Sequence, residues 1–206
     1  MYRLIAFGDS FTHGCCLEDQ PYPNTFEHHF QLPVSSLSYP QLVGEQLGLE
    51  TVNLAQCGVS NKYILRRMLE FKYQPGDRVM IMWTDPMRSS IYTKRGERHD
   101  VAIDPHNTRT YFYRVHNDFD LIYSDCINRF AADAYCKSLN IDLMHLSIGD
   151  YQDQTPEWFN IHPAFIFSNY LDDYAVDGAH FNEASHRQLA DAIVSKFRQD
   201  QAIDSN

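Results

Sequence analysis

Ile5-Ala6-Phe7-Gly8-Asp9-Ser10-Phe11-Thr12-His13-Gly14 is the stretch that decides how the chain is read. The apolar residues 4–7 have the character of a buried strand, and they break into Gly-Asp-Ser where that strand has to end. Parallel α/β sheets bind ligands beyond the carboxyl ends of their strands, so Ser10 stands where such a fold does its chemistry. A serine hydroxyl is a weak nucleophile until a base activates it. The far end of the chain supplies one in Asp177-Gly178-Ala179-His180, just ahead of a closing helix. Ser10, His180 and Asp177 are therefore the candidate catalytic residues. Each piece also has a plainer use: Asp9 and Ser10 suit a helix cap, Asp177-Gly178 a turn, and Asn182 another cap. Their joint arrangement at predicted strand ends favours the chemical reading.

Working outward, residues 4–7, 51–54, 78–83 and 141–148 are short apolar runs of the kind that parallel sheets bury on both faces. Between them, residues 39–47, 62–71, 118–139 and 183–197 carry apolar side chains at helical spacing, such as Ile64, Leu65, Met68 and Leu69. Alternating strands and helices predict a three-layer α/β/α sandwich. A chain of 206 residues is the size of a single domain. Two long polar and aromatic stretches, near 84–117 and 149–176, read as loop insertions after strands, the usual rims of sites. Residues 199–206 are expected to fray.

A formal charge of −10 argues against nucleic-acid and anionic-membrane partners, which need clustered Lys and Arg. No apolar run approaches membrane-spanning length. With no signal peptide ahead of the first strand, a cytoplasmic location is expected. The five cysteines are odd in number and lack metal-ligand spacing, which predicts reduced thiols. Of ten histidines, His28-His29, His99, His106 and His116 invite a metal reading. Adjacent histidines in a strand face opposite ways, and no His-Glu-x-x-His or Cys-x-x-Cys pattern occurs, so neither metal nor cofactor is expected. His13 and Cys15 are near enough to line a pocket around Ser10, though core packing explains them equally well. Tyr111-Phe112-Tyr113 reads as a small local core before it reads as a sugar platform.

Three blocks carry a resemblance. Phe7-Gly-Asp-Ser10, Asn53-Leu-Ala-Gln-Cys-Gly58-Val-Ser-Asn61 and Asp177-Gly-Ala-His180 resemble, in order and separation, the first, second and fifth sequence blocks of the GDSL/SGNH hydrolases. The resemblance implies a mostly parallel, flavodoxin-like sheet and a serine hydrolase acting on an acyl ester of a small molecule or a carbohydrate. In that scheme Ser10 attacks the carbonyl, His180 takes its proton and Asp177 holds the imidazole. The backbone amides of Ser10 and Gly58 would receive the oxyanion. An acyltransferase on the same fold, and a degenerate member kept for binding or structure, are the alternatives.

The third block departs from the pattern. The family has Gly-x-Asn-Asp after the third strand, whereas this chain has Trp83-Thr84-Asp85-Pro86. Asp85 thus falls at the asparagine position, and an ionised carboxylate cannot donate to an oxyanion. Thr84, Arg88 and Asn61 remain as replacements for the third donor, with an Asp85–Arg88 surface ion pair as the plain alternative.

Overall fold

The computed structural model describes residues 2–20, 32–86, 88–92, 98–101, 118–149, 161, 163–170, 172–175 and 177–204. Among these residues five strands form one sheet in the order β2-β1-β3-β6-β7, from β1 (Arg3–Phe7), β2 (Glu50–Asn53), β3 (Arg78–Trp83), β6 (Asp142–Ser147) and β7 (Phe165–Ile166). Every pairing within this sheet is parallel, with Ile5 opposite both Val52 and Val79, and Val79 opposite Leu143. Strand alternation sorts the core. Leu4, Ala6, Met80, Met82 and Leu146 face α2 (Tyr39–Leu47) and α5 (Glu183–Asp204). Ile5, Phe7, Val79, Ile81 and Trp83 face α3 (Asn61–Glu70) and α4 (Asp118–Ser138). The structure is thus the expected three-layer α/β/α sandwich. Because β1 and β3 are covered on both faces, they read as unbroken apolar runs rather than alternating ones.

Helix ends follow local chemistry. Ser60 caps α3 by accepting from the Tyr63 amide at 3.4 Å, and Asn182 accepts from the Ser185 amide at 3.0 Å ahead of α5. Gly48 closes α2 with a φ of 65°, a conformation that favours glycine.

Among the described residues, the sequence reading misses five short elements. Ser10–His13 is a one-turn helix, α1, too short for any periodicity to reveal. β4 (Ser89–Tyr92) and β5 (Arg98–Val101) pair as an antiparallel hairpin inside the stretch expected to be loop. β7 and the 3-10 turn Phe167–Tyr170 add an edge strand within the second such stretch, and two residues are too few to show a strand's alternation. α5 is helical as far as Asp204, into the stretch expected to fray, and carries Lys196–Asp200, an i,i+4 pair at 3.2 Å. Among the described residues no helix is long and apolar enough to cross a membrane. The side chains of His28, His29, His99, His106, His116 and Tyr111-Phe112-Tyr113 lie outside the described residues.

The central strand should carry the stability. Ile81 is fully buried whereas Leu69 is 44% exposed. Ile81→Ala is expected to cost about 2–5 kcal/mol and Leu69→Ala under about 1 kcal/mol by denaturant unfolding. Equal costs would contradict this account of the core.

Candidate active site

Gly8 lets the chain pass close to α1 after β1, since a Cβ there would overlap Thr12 Oγ1. Asp9 then caps α1, its Oδ1 accepting from the Phe11 amide at 3.1 Å. Its other oxygen accepts from Thr84 Oγ1 at 2.6 Å and Arg88 Nη1 at 3.0 Å. Asp9 and Thr84 are fully buried, and Ser10 is buried beside Asp9 at the start of α1. One carboxylate thus joins the ends of β1 and β3. Arg88 pairs with Asp9, where a surface pair with Asp85 was the plain expectation, and its backbone amide meets the Asp85 carbonyl at 3.0 Å.

The loop after β2 is laced onto the same turn. Leu54 and Gln56 amides donate to the Ala6 and Gly8 carbonyls at 2.8 and 3.1 Å, and Asn53 Nδ2 donates to the Thr12 carbonyl at 2.8 Å. Cys15 and Cys57 are joined through sulfur, which brings the residue before Gly58 onto the segment following Ser10. The expectation of reduced thiols is corrected for these two. Neither neighbour in sequence nor a shared motif links them, so only the fold brings them together. Gly58 has a φ of 73°, which explains the glycine.

Asn61 is buried and committed on both sides. Its Nδ2 donates to the Thr84 carbonyl at 2.9 Å and to Asp125 Oδ1 at 2.6 Å, while its Oδ1 accepts from the Thr84 amide at 2.8 Å. Asp125 in turn holds Arg129 at 2.7 Å, with both side chains nearly buried. Burial pushes the Asp125 carboxyl up, against the pull of Arg129 and the Asn61 hydrogen bond. Sequence reasoning passed over this pair. Its signal is that Ile122, Asp125, Cys126, Arg129, Ala132 and Cys136 form one helical stripe, so two charges sit in a buried face.

The loop bearing Asp177 and His180 is a pinned turn. Ala175 and His180 bond through the backbone at 2.7 Å, and Gly178 has a φ of 66°. Asp177 Oδ1 accepts from the Ala179 and His180 amides at 3.1 and 3.0 Å, and Oδ2 lies 2.5 Å from His180 Nδ1. Burial opposes ionisation of Asp177, but the hydrogen bonds from His180 and Ala179 outweigh it and hold the carboxyl at about 2. An ionised carboxylate only accepts, so Nδ1 carries the proton and Nε2 of the neutral ring is left basic. The ring packs on Phe11, next to Ser10, with centroids 5.1 Å apart, while Phe181 anchors the loop against Phe167 at 4.6 Å.

Cys16, adjacent to the cross-link, was not foreseen here. Its sulfur lies within 4.8 Å of the Asp177 and His180 ligand atoms, and burial together with the Asp177 charge pushes the thiol up to about 12. It stays protonated and can donate to the carboxylate. His186 is a structural histidine: its Nδ1 accepts from the Tyr39 amide at 3.1 Å, and burial holds it down at about 3.

No protein-family profile matches the chain, and comparison with curated proteins finds no match. Solved structures do match. One is a protein assigned to the lipolytic G-D-S-L family from Desulfitobacterium hafniense, with 15% identity, 94% of this chain and 98% of that chain covered, and a TM-score of 0.54. The psychrotrophic esterase EstA of a Pseudoalteromonas species has 12% identity, 96% and 97% coverage and a TM-score of 0.52. An acetyl xylan esterase from Butyrivibrio proteoclasticus has 9% identity and a TM-score of 0.60, covering 97% of this chain but 64% of the longer neighbour. At these identities the likeness is one of fold.

Asp177 supplies a pH prediction. Its folded value of about 2 lies below the ordinary 3.8, so its contribution is full above about pH 4 and fades as pH falls through 2. Asp177→Asn should therefore shrink the stability loss between pH 5 and pH 2 by about 2 kcal/mol. An unchanged difference would show that the carboxylate is not held as described.

Proposed function

We propose that this chain, which has the fold of the GDSL/SGNH hydrolases, is a serine esterase cleaving a small or carbohydrate-linked acyl ester. The observation that carries this reading is the His180–Asp177 pair at 2.5 Å, packed through Phe11 against the segment that starts at Ser10. In the proposed sequence His180 Nε2 takes the Ser10 proton as Oγ attacks the ester carbonyl, and Asp177 stabilises the imidazolium that forms. Collapse of the tetrahedral intermediate expels the alcohol, which receives that proton, and leaves an acyl-Ser10 for water to hydrolyse by the same relay. An acetylated sugar is a suitable first substrate, given the acetyl xylan esterase among the structural neighbours.

The oxyanion would rest on the backbone amides of Ser10 and Gly58. Thr84 and Arg88 donate to Asp9, and both Nδ2 contacts of Asn61 are structural, so these side chains serve to build the loop. Asp85 at the remaining position favours a second reading, a slow or degenerate member kept for binding.

Turnover of a short-chain aryl acetate tests the main reading. Ser10→Ala and His180→Ala should each lower kcat by at least about 1,000-fold with unchanged circular dichroism. Native turnover in Ser10→Ala would reject the nucleophile. Asp85→Asn should raise kcat by about tenfold with little change in ground-state binding, because the new donor acts as the oxyanion forms. A fall in kcat would reject the placement of Asp85 at the oxyanion.

A further inference from the structure

We infer that His13, Cys15 and Cys57, once the two sulfurs are reduced, form a binding site for a thiophilic divalent cation of the zinc type. The site lies beside the proposed catalytic residues and does not depend on their chemistry. The ligand atoms of the three residues fall within 4.8 Å of one another, and all three residues are buried, at 5%, 1% and 3% exposure.

Geometry favours a metal in two ways. His13 Nδ1 lies 3.6 Å from Cys15 Sγ. Two ligands on a tetrahedral zinc, with Zn–S of about 2.3 Å and Zn–N of about 2.0–2.1 Å, stand about 3.6 Å apart. The Cα atoms of Cys15 and Cys57 are 7.1 Å apart. Disulfides usually bridge about 4.4–6.8 Å between Cα atoms, whereas two thiolates on one metal need no direct S–S contact.

Proton placement agrees. His13 Nε2 is 3.2 Å from the Leu32 carbonyl. A carbonyl only accepts, so Nε2 carries the hydrogen and Nδ1 presents its lone pair towards the sulfurs. A ligand histidine steadied through its other nitrogen by a backbone carbonyl is the usual outer-shell arrangement of metal sites. The frame is fixed as well: the Gly14 and Cys15 amides both donate to the Ser10 carbonyl at 3.0 Å, and the Gln56 amide donates to Gly8 at 3.1 Å.

Loading takes two balanced steps. A dithiol reductant gives two electrons and two protons to the Cys15–Cys57 bond, yielding two thiols and an oxidised cyclic disulfide. The cation then accepts lone pairs from both sulfurs and from Nδ1 as the two thiol protons leave to solvent, with no change in its oxidation state. A fourth position remains for water. Either cross-link, sulfur or metal, fastens the residue before Gly58 to the segment after Ser10.

Cobalt(II) is the probe. The full chain, reduced with a phosphine and stripped by a chelator, is titrated anaerobically while thiolate-to-cobalt charge-transfer and d–d bands are recorded. One equivalent should bind with tetrahedral bands and be displaced by zinc. Cys57→Ser and His13→Gln should weaken binding by at least 10- to 100-fold, while Cys136→Ser leaves it unchanged. Should a variant fail to fold, the unmodified chain still decides: zinc should protect two cysteines from iodoacetamide, mapped by mass spectrometry to Cys15 and Cys57. No cobalt uptake by the reduced chain would overturn the inference. So would uptake that survives Cys57→Ser but is lost in Cys16→Ser, or protection mapped to other cysteines.

Discussion

The carboxylate of Asp9 has no exposure to solvent, and a buried negative charge at the end of a strand has to be matched by donors placed around it. Its partners come from three places: the Phe11 amide at the first turn of α1, the Thr84 hydroxyl beyond β3, and the Arg88 guanidinium further along that loop. Ser10 follows Asp9 in sequence, buried at the start of α1. Removing any partner leaves a charge that water cannot reach, so the ends of β1 and β3 are obliged to stay together. The Asn61 amide repeats the arrangement one layer out by gripping both backbone groups of Thr84 and passing the load to Asp125 and Arg129.

This constraint accounts for the use made of the segment after β3. Residues beyond β3 are drawn into holding the loop, since Thr84 turns its hydroxyl to Asp9 and Arg88 neutralises the same carboxylate. A loop built this way gains rigidity. Cys16, with a φ of 67° and its sulfur against Asp177, and the bond between Cys15 and Cys57 tighten the opposite side. The segment after Ser10 is thus tied to the Asp177 loop and to the Gly58 loop at adjacent residues.

Much of the fold was legible because buried parallel strands leave an unmistakable pattern: residues 79–83 are apolar throughout and, with Arg78 ahead of them, form β3 residue for residue. The helices 39–47 and 118–138 fall on their apolar periodicity. α1 and β7, of four and two residues, escaped because neither a helix nor a strand period can express itself over so short a run. In the candidate site, Ser10, Asp177 and His180 stood out as residue types in sequence blocks. The side-chain partners of Asp9, by contrast, lie 75 and 79 residues away, and pairing at that range is a product of sheet order that spacing does not encode. Asp125 and Arg129 were readable in principle, as charges inside an apolar stripe.

The central claim is that Ser10 is a nucleophile activated by His180. Intact-mass spectrometry after brief exposure to a fluorophosphonate, followed by peptide mapping, tests it without assuming the substrate. The account predicts a single adduct on the peptide containing Ser10, formed by the native chain and absent from His180→Ala. An adduct elsewhere, or equal labelling of Ser10 without His180, would contradict it.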